Sequence, residues 1–305
     1  TYMINQSVVT LNVVNKTSIS YIIRNADGIV VMANASDYPI VLDDLPVGKY
    51  NITVINNENK NYFGSSDSAI FEVIKSYSEV HITEVINGTL DATNATVKFD
   101  VKVPTNISII VRDDKGNVVY NNSDFKGNEF SIGNLTTGVY NITISNAETE
   151  NAYASNDSTV FKVVVPTTIP SEDISRGYNS PYDYIAVFTD EFGNILNNTN
   201  VSMIVGGKTY NLTTDDNGVA YLNDTLAVGK HEILLVNPVS GENRTHIVTI
   251  VERLQENKDI VMDFCDGTYY SVRAYGDDAK PIKGVIVKIT INGITYDVKT
   301  DKNGY

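Results

Sequence analysis

The chain has 305 residues, a formal net charge of −14 at pH 7 and a sequence pI of about 4.6. This acidic balance argues against a nucleic-acid-binding protein or one that binds anionic membranes, because both classes carry a basic patch. Cys265 is the single cysteine, which excludes an internal disulfide. No apolar run is long enough for a membrane span.

The first predicted module covers residues 1–76. Apolar and polar residues alternate along Lys49–Val54, which predicts a strand with Tyr50 and Ile52 facing a core and Asn51 facing solvent. The run Ser68–Val73 predicts a second strand of the same kind. This module is expected to lack its opening strand, because the chain begins too late to supply one.

The second predicted module covers residues 77–166 and repeats the first. Thr105–Arg112 aligns with Thr17–Arg24, and Ser158–Val163 aligns with the closing run of the first module. An opening strand is predicted near Val80–Val85. The two modules therefore have the same strand order in prediction.

A second repeat type defines the third module, residues 167–253, and a partial fourth module, residues 254–305. Gly207–Gly218 matches Gly293–Gly304, and both end in Thr-Asp-x-Asn-Gly. The chain stops just where the next strand of the fourth module is expected. Only the segments 188–196 and 254–257 are compatible with a short helix, so an all-β fold is predicted.

One hexapeptide identifies the predicted fold. Leu-x-x-Gly-x-Tyr occurs at Leu45–Tyr50 and Leu135–Tyr140, and recurs with His at Leu226–His231, at spacings of 90 and 91 residues. In immunoglobulin-like sandwiches a Tyr at the start of a late strand bonds to upstream backbone and closes the corner. The sequence therefore predicts tandem immunoglobulin-like Greek-key β-sandwiches in an elongated array, with structural corner residues Tyr50, Tyr140 and His231.

Asparagine gives the strongest indication of the cellular compartment. The chain carries sixteen Asn-x-Ser/Thr sequons, which are N-glycosylation acceptors of secreted proteins, and none follows Asn243. This pattern predicts an extracellular glycoprotein, although strands rich in Asn and Thr also produce such sequences incidentally. The acceptors are Asn5, Asn15, Asn34, Asn51, Asn87, Asn94, Asn106, Asn121, Asn134, Asn141, Asn156, Asn197, Asn200, Asn211, Asn223 and Asn243.

Five short runs of acidic or amide residues end in Gly, at Gly28, Gly116, Gly193, Gly218 and Gly304. None has the alternating oxygen ligands and distal Glu of a calcium loop, so turns between strands are predicted. No cofactor is expected. One interpretation left open is loosely bound Ca2+ at the junctions between modules, held by Glu72, Glu79, Glu172 or Asp173.

The remaining reactive side chains do not form a catalytic arrangement, so an enzyme is not expected. No two of the three histidines have the spacing of metal ligands or of a nucleophile and its base. Strand alternation predicts that His81 and His246 face solvent and that the Cys265 thiol is half-buried. An isopeptide crosslink is a further hypothesis, with candidate lysines Lys98, Lys102 and Lys162.

Three stretches of the second half resemble the large adhesin-like surface proteins of methanogenic archaea. They are Ile174–Phe188, Asn257–Tyr270, and Tyr275–Pro281 together with Thr300–Tyr305. The Val-Gly-Lys-Tyr-Asn-Ile-Thr-Val module of the first half is similar to the other common repeat of these proteins. The resemblance implies tandem bacterial-type Ig-like (Big) repeats, display at the cell surface, a stalk or adhesive role, and no enzymatic activity in the repeats.

Two functions compete at this point. The first is a glycosylated stalk or filament segment that acts as a spacer, since tandem modules with short linkers suit this role. The alternative is an adhesin module that binds a surface glycan or a partner cell. Expected partners are N-linked glycans. The incomplete terminal modules predict either that the protein continues in both directions or that neighbouring subunits donate the missing strands. The aromatic candidates for the alternative are Tyr178, Tyr182, Tyr184, Tyr269 and Tyr270.

Overall fold

The structure is a computed structural model that describes residues 7–36, 40–42 and 45–305. Every regular element in these residues is a β-strand, which confirms the all-β fold class. The two segments compatible with a helix form turns and short strand pairs instead, including β22 (Leu254–Gln255). The chain divides into two compact units, residues 1–163 and 164–305. No helix of the described residues has the length and hydrophobicity needed to cross a membrane.

The first module contributes two sheets to the first unit. The larger sheet has the order β3-β2-β5-β6, and β1 pairs with β4 in a smaller one. Their shared core includes Ile23, Ile40 and Ile52. The strands are β1 (Ser7–Val9), β2 (Ile19–Asn25), β3 (Val30–Ser36), β4 (Ile40–Leu42), β5 (Gly48–Asn56) and β6 (Ser65–Val73).

The second module completes the first unit with a five-stranded and a three-stranded sheet. Their orders are β11-β10-β13-β14-β8 and β12-β9-β7. Phe99, Ile142 and Phe161 lie in the core that both sheets share. The strands are β7 (Glu79–Ile86), β8 (Gly88–Thr89), β9 (Ala95–Lys102), β10 (Ile107–Arg112), β11 (Val118–Phe125), β12 (Glu129–Ile132), β13 (Gly138–Asn146) and β14 (Ser155–Val164).

The third module forms most of the second unit. Its larger sheet has the order β15-β21-β20-β17-β18, in which β15 runs parallel to β21, and β16 pairs with β19. Tyr184, Met203 and Leu235 are fully buried in its core. The strands are β15 (Ile174–Gly177), β16 (Tyr184–Val187), β17 (Asn200–Val205), β18 (Lys208–Thr213), β19 (Val219–Leu222), β20 (Gly229–Val236) and β21 (Asn243–Val251).

The fourth segment contains two antiparallel pairs. β22 pairs with β23 (Arg273–Ala274), and β24 (Ile286–Ile291) pairs with β25 (Ile294–Lys299). The tight turn between β24 and β25 places Asn292 and Gly293 at positive φ, as hairpin connections require.

The first three modules share one topology. In the larger sheets, the order β14-β13-β10-β11 of the second module corresponds to β21-β20-β17-β18 of the third and to β6-β5-β2-β3 of the first. A fifth strand, β8 or β15, flanks this order in the second and third modules. In each module the chain crosses repeatedly between the larger and the smaller sheet, which is the Greek-key arrangement of immunoglobulin-like sandwiches. Each described core cluster draws its residues from one module. The boundaries at residues 76, 166 and 253 stay a prediction.

Candidate functional site

The corner residues make the same contact in all three repeats. The Tyr50 hydroxyl donates to the Pro46 carbonyl at 2.7 Å, and the Tyr140 hydroxyl donates to the Thr136 carbonyl at 2.8 Å. His231 Nε2 lies 2.7 Å from the carbonyl of Ala227. The side chain therefore bonds to the backbone four residues upstream in each case, although the chemical group differs.

An aromatic neighbour distinguishes the two tyrosine corners from the histidine corner. Tyr50 stacks on Phe71 with 5.4 Å between ring centroids, and Tyr140 stacks on Phe161 at 5.5 Å. Burial raises the pKa of Tyr50. His231 instead has Val248 as its cross-strand partner, so the third corner has no ring to stack on.

A second repeated residue lies six positions after each corner residue and was not predicted from the sequence. Asn56, Asn146 and Asn237 are buried side chains at the ends of β5 and β13 and just after β20. Asn56 Oδ1 accepts the backbone N–H of Thr17 at 2.8 Å, and Asn146 Oδ1 accepts that of Thr105 at 2.8 Å. The available signal was the constant spacing from Tyr50, Tyr140 and His231.

The third member of this set contacts its neighbouring segments through Nδ2. Asn237 Nδ2 donates to the Thr168 hydroxyl at 3.0 Å and to the Thr189 carbonyl at 2.8 Å. Thr168 also receives support from Glu242, whose carboxylate accepts the Thr168 backbone N–H at 2.6 Å. These asparagines fasten the loop after a central strand to a neighbouring segment, which is a structural use of the amide.

The sequon asparagines lie elsewhere. Asn5 falls outside the described residues. Of the fifteen described acceptors, fourteen are exposed and Asn51 is half-buried, so all fifteen lie at the protein surface. In the described residues the three buried asparagines, Asn56, Asn146 and Asn237, are all outside sequons. The two populations of asparagine are therefore separated by burial.

The Gly-terminated runs are loops closed by a side chain. Asp113 Oδ1 accepts the backbone N–H groups of Lys115 at 3.0 Å and Asn117 at 2.8 Å, and Asp215 Oδ1 accepts those of Asn217 and Val219 at 2.8 and 2.9 Å. Hydrogen bonding from Asn117 holds the pKa of Asp113 below its ordinary value. Asn25, Asp190 and Asp301 bond their loops in the same way.

The four side chains considered for Ca2+ are all exposed. Asp173 Oδ1 accepts the backbone N–H of Ile247 at 2.8 Å, which fixes β15 beside β21. Glu72 is the cross-strand partner of Lys49. No group of three His, Cys, Asp or Glu side chains with a metal-site geometry occurs in the part of the chain that the structure describes.

Two predictions about single side chains are wrong. His246 is buried rather than solvent-facing, because it shares the core face of β21 with Val248 and Ile250. Its ring lies 6.2 Å from that of Tyr184, and neither ring nitrogen has a hydrogen-bond partner. Cys265 is exposed rather than half-buried, because it lies at positive φ in a turn and not in a strand. His81 is exposed, as its alternation predicts.

The isopeptide candidates lie on polar faces. Lys98 forms an ion pair with Glu84 at 2.7 Å, and Lys102 is exposed. The backbone N–H of Lys162 donates to Asn87 Oδ1 at 2.8 Å. The isopeptide crosslink stays a hypothesis.

The aromatic candidates for ligand binding separate into two groups. Tyr184 is completely buried in the third core and is not available to a ligand. Tyr178 and Tyr182 are exposed, and so are Tyr269 and Tyr270. Tyr182 lies beside Tyr221, which the sequence analysis missed, with 5.0 Å between ring centroids.

The connection between the first and second modules is hydrogen-bonded along its length. The Ser76 N–H donates to the Asn151 carbonyl at 2.9 Å, and the Tyr153 N–H donates to the Ser76 carbonyl at 3.0 Å. Asn151 also reaches the first module, since its Oδ1 accepts the backbone N–H of Val47 at 3.0 Å. One loop of the second module thus holds both the linker and a turn of the first module.

Side chains cover the same connection. The rings of Tyr77 and Tyr153 stack with 5.1 Å between centroids. Lys75 Nζ lies 5.3 Å from the centroid of Tyr153 and 2.6 Å from a carboxylate oxygen of Glu148. These contacts restrict the angle between the two modules, because rotation at the linker would break them together.

The fourth segment is joined to the third module by comparable contacts. Arg253 Nε donates to the Tyr178 carbonyl at 2.6 Å, and the Gly177 N–H donates to the Asp277 carbonyl at 3.1 Å. A Cβ atom at Gly177 would lie 2.4 Å from the carbonyl oxygen of Gly276. Only glycine permits this approach of the two backbones.

Comparison with known proteins gives fold neighbours only. No protein-family model matches the chain, and no curated protein sequence matches it. Among solved structures, the titin I-band fragment I67–I69 has a TM-score of 0.36 at 15% identity and covers 77% of this chain and 88% of its own. Extracellular domains 3–5 of Drosophila OTK give 0.32 at 14% identity, covering 81% and 91%. A bacterial ice-binding adhesin structure gives 0.27 at 11% identity, covering 81% and 90%.

Proposed function

We propose that the chain is a segment of an extracellular surface protein in which immunoglobulin-like modules form a stalk. The observation that carries the stalk is the connection around Ser76, where one loop contacts both the linker and the preceding module. A spacer must resist bending, and ordered joints between independently folded modules provide that resistance.

We further propose that the stalk is N-glycosylated. The separation of exposed sequon asparagines from buried structural asparagines supports this, because a glycan needs an acceptor at the surface. The resemblance of Ile174–Phe188 and Tyr275–Tyr305 to methanogen adhesin-like proteins supports an archaeal cell-surface protein with Big-type repeats.

Distance measurements across the first joint test the stalk. Spin labels are attached to S66C and E129C in a C265S background, and the distance distribution between them is recorded in the full chain. We expect a narrow distribution that broadens in N151A, because the contact to Val47 is lost. The matched control N128A changes an exposed asparagine of the same module and should leave the distribution narrow. A distribution that is already broad in the unmodified joint contradicts a stiff spacer.

Cell fractionation tests the location. Antibodies against the second module should label intact cells of the source organism, and glycopeptide mass spectrometry should find sugar on several sequons and none after Asn243. The proposal of an extracellular glycoprotein is rejected if the protein is found only inside the cells and every acceptor asparagine is unmodified.

The exposed ring pair Tyr182–Tyr221 favours one second function, binding of a surface glycan by the third module. Sugar rings pack on exposed aromatic side chains, and both rings here are accessible. Binding of the full chain to a glycan array should be lost in the variant Y182A/Y221A and kept in Y77A/Y153A, which removes a second exposed pair of stacked tyrosines. Equal binding by both variants, or none by the unaltered chain, rejects this function.

A further inference from the structure

Two cross-strand rows with the same chemistry repeat on the outer faces of the first and second modules. Each row has a sequon Asn on the central strand, β5 or β13. The Cα partners of this Asn are an Arg on one neighbouring strand and an apolar residue on the other. The rows are Arg24–Asn51–Ile70 and Arg112–Asn141–Val160.

The apolar member of each row is unusually open to solvent. Ile70 is 78% exposed and Val160 is 56% exposed. The adjoining cross-strand pairs on the same faces are hydroxyl pairs, since Thr53 and Ser68 lie 3.0 Å apart, as do Thr143 and Ser158. Each apolar side chain therefore lies beside polar neighbours on its face and keeps more than half of its surface exposed.

The asparagine beside it is oriented for modification. The Thr53 hydroxyl donates to Asn51 Oδ1 at 3.3 Å, and the Thr143 hydroxyl lies 3.5 Å from Asn141 Oδ1. In the described residues, Nδ2 of neither asparagine has a hydrogen-bond partner. The atom that would carry a sugar is thus free, whereas Nδ2 of Asn106 donates to the Ser123 carbonyl at 3.0 Å.

Register places this nitrogen next to the apolar side chain. Directly opposed residues of an antiparallel pair have Cβ atoms about 4.5–5.5 Å apart, which is shorter than the reach of one sugar ring. A pyranose presents C–H groups on one face, and covering exposed hydrocarbon with such a face removes apolar area from water.

We propose that N-linked glycans on Asn51 and Asn141 lie across the neighbouring strand and cover Ile70 and Val160. The occupant of each apolar position is then the first sugars of the glycan attached directly opposite, with the Arg stem on the other side. The contact stabilises the strand pair locally and keeps this face from associating with other sheets. This inference rests on the glycosylation in the proposed function.

The third module provides a natural contrast. Its position equivalent to Asn51 and Asn141, one residue after the corner, is Glu232, and the Cα partner of Glu232 is Ile247. Ile247 is half-buried rather than exposed. The third module therefore has no sequon at this position, and its apolar side chain is already partly covered by protein.

The test is a double-mutant cycle on the glycosylated full chain. The forms are unaltered protein, N141Q, V160S and N141Q/V160S, and amide hydrogen exchange is followed in β13 and β14. Loss of the glycan should lower protection there by about two- to fivefold when Val160 is present, the effect of one cross-strand contact, and by little when it is Ser. Methyl protons of Val160 should also show nuclear Overhauser contacts to sugar protons.

The matched control is Asn156, another sequon on the outer face of β14, whose cross-strand partner is Ser145. The effect of N156Q should be the same with Val160 and with V160S. The inference is overturned if Asn141 carries a glycan but N141Q has the same effect with Val160 and with V160S, and no sugar contacts to Val160 are seen. That result would not contradict the proposal that the protein is glycosylated. The inference also fails if Asn141 carries no glycan in native material. The proposal that the protein is glycosylated fails only if all the acceptor asparagines are unmodified.

Discussion

At the scale of single residues, the corner shows that the fold selects a contact rather than an amino acid. Tyr50 and Tyr140 bond through a hydroxyl, and His231 bonds through a ring nitrogen, to a carbonyl four residues upstream. Either group reaches the same carbonyl, so the third module tolerates the exchange. The first and second modules combine the tyrosine with an aromatic cross-strand partner, whereas the cross-strand partner of His231 is Val248.

The corner bond can be measured directly. We expect Y140F to lower the free energy of unfolding of the second module by about 1–3 kcal/mol, because the Thr136 carbonyl loses its buried donor. Hydrogen exchange of β13 in the full chain reports the change locally. The control Y153F removes a hydroxyl from a half-exposed ring and should be nearly neutral. A neutral Y140F would show that the hydroxyl contributes nothing to the corner.

Asp183 is a buried carboxylate beside the third corner. Its Oδ2 accepts the backbone N–H of Leu226 at 2.8 Å, and burial raises its pKa above the ordinary value of 3.8. A raised carboxyl pKa means that the folded state holds the proton more tightly than the unfolded state. The resulting stabilisation is complete below the ordinary pKa and is lost as pH rises through the raised value.

We therefore expect D183N to stabilise the third module near neutral pH. Its amide oxygen still accepts the Leu226 N–H, while the cost of a buried charge disappears. The difference in unfolding free energy between D183N and the unaltered chain should grow as pH rises from acid to neutral. Hydrogen exchange of β20 at several pH values checks this, and a difference that stays constant with pH would contradict it.

Sequence predicted some residues well and others not at all, for physical reasons. Alternation and the hexapeptide identified Tyr50 and Tyr140 because local pattern determines which face a strand residue takes. It misassigned His246, because a polar residue at a core-facing position contradicts the usual link between polarity and exposure. Asn146 was missed because its partner Thr105 lies 41 residues away.

At the scale of elements, the Asp-x-x-Gly loops are the recurrent connection. The side chain at the first position accepts two backbone N–H groups, and the glycine adopts positive φ, for example 83° at Gly116 and 72° at Gly218. The loops are alike in hydrogen bonding but differ in what surrounds them.

That difference predicts unequal costs for the same substitution. G116A should cost about 1–2 kcal/mol, because only backbone strain opposes it and a Cβ there meets nothing within 4 Å. G218A should cost about 1–3 kcal/mol more, since its Cβ would lie 2.8 Å from the Phe188 carbonyl oxygen and from Ile195 Cγ2. Denaturant melts of the two variants compare the costs, and equal losses would contradict the packing argument.

The positions of the strands were predictable from the sequence, whereas the pairing of distant strands was not. Runs such as Lys49–Val54 became β5 because alternating apolar residues can be buried only in an extended chain. The parallel pairing of β15 with β21 joins residues about 75 apart, and Asp173 fixes it through Ile247. Local pattern contains no information about such a long-range pairing.

At the scale of the whole molecule, cores were predictable and joints were not. Each of the first three modules has its own buried cluster, as the 90-residue repeat implies. The contact of Asn151 with Val47 spans 104 residues and depends on one side-chain amide. Sequence repeats reveal units that fold in the same way, but they say little about the surfaces by which those units meet.

The separation of the two asparagine populations restricts which mutations the chain can accumulate. Asn146 is followed by Ala147 and Glu148, so the single change E148T would turn a buried structural asparagine into an acceptor. A sugar transferred before folding would keep Asn146 out of the core. We expect E148T to abolish folding in a glycosylating host and to be tolerated in a host without that machinery. The control E148V loses the same ion pair with Lys75 but creates no acceptor, so it should fold in both hosts.

A change of Glu58 to Ser or Thr would likewise make Asn56 a glycosylation acceptor. No change of Val239 can do this for Asn237, because Pro238 at the middle position prevents a sequon. Selection against gaining a motif would thus act on Glu58 and Glu148, two exposed positions outside the cores of the modules. Tolerance of Ser or Thr at those sites would depend on the secretory chemistry of the host cell as well as on the energetics of the folded state.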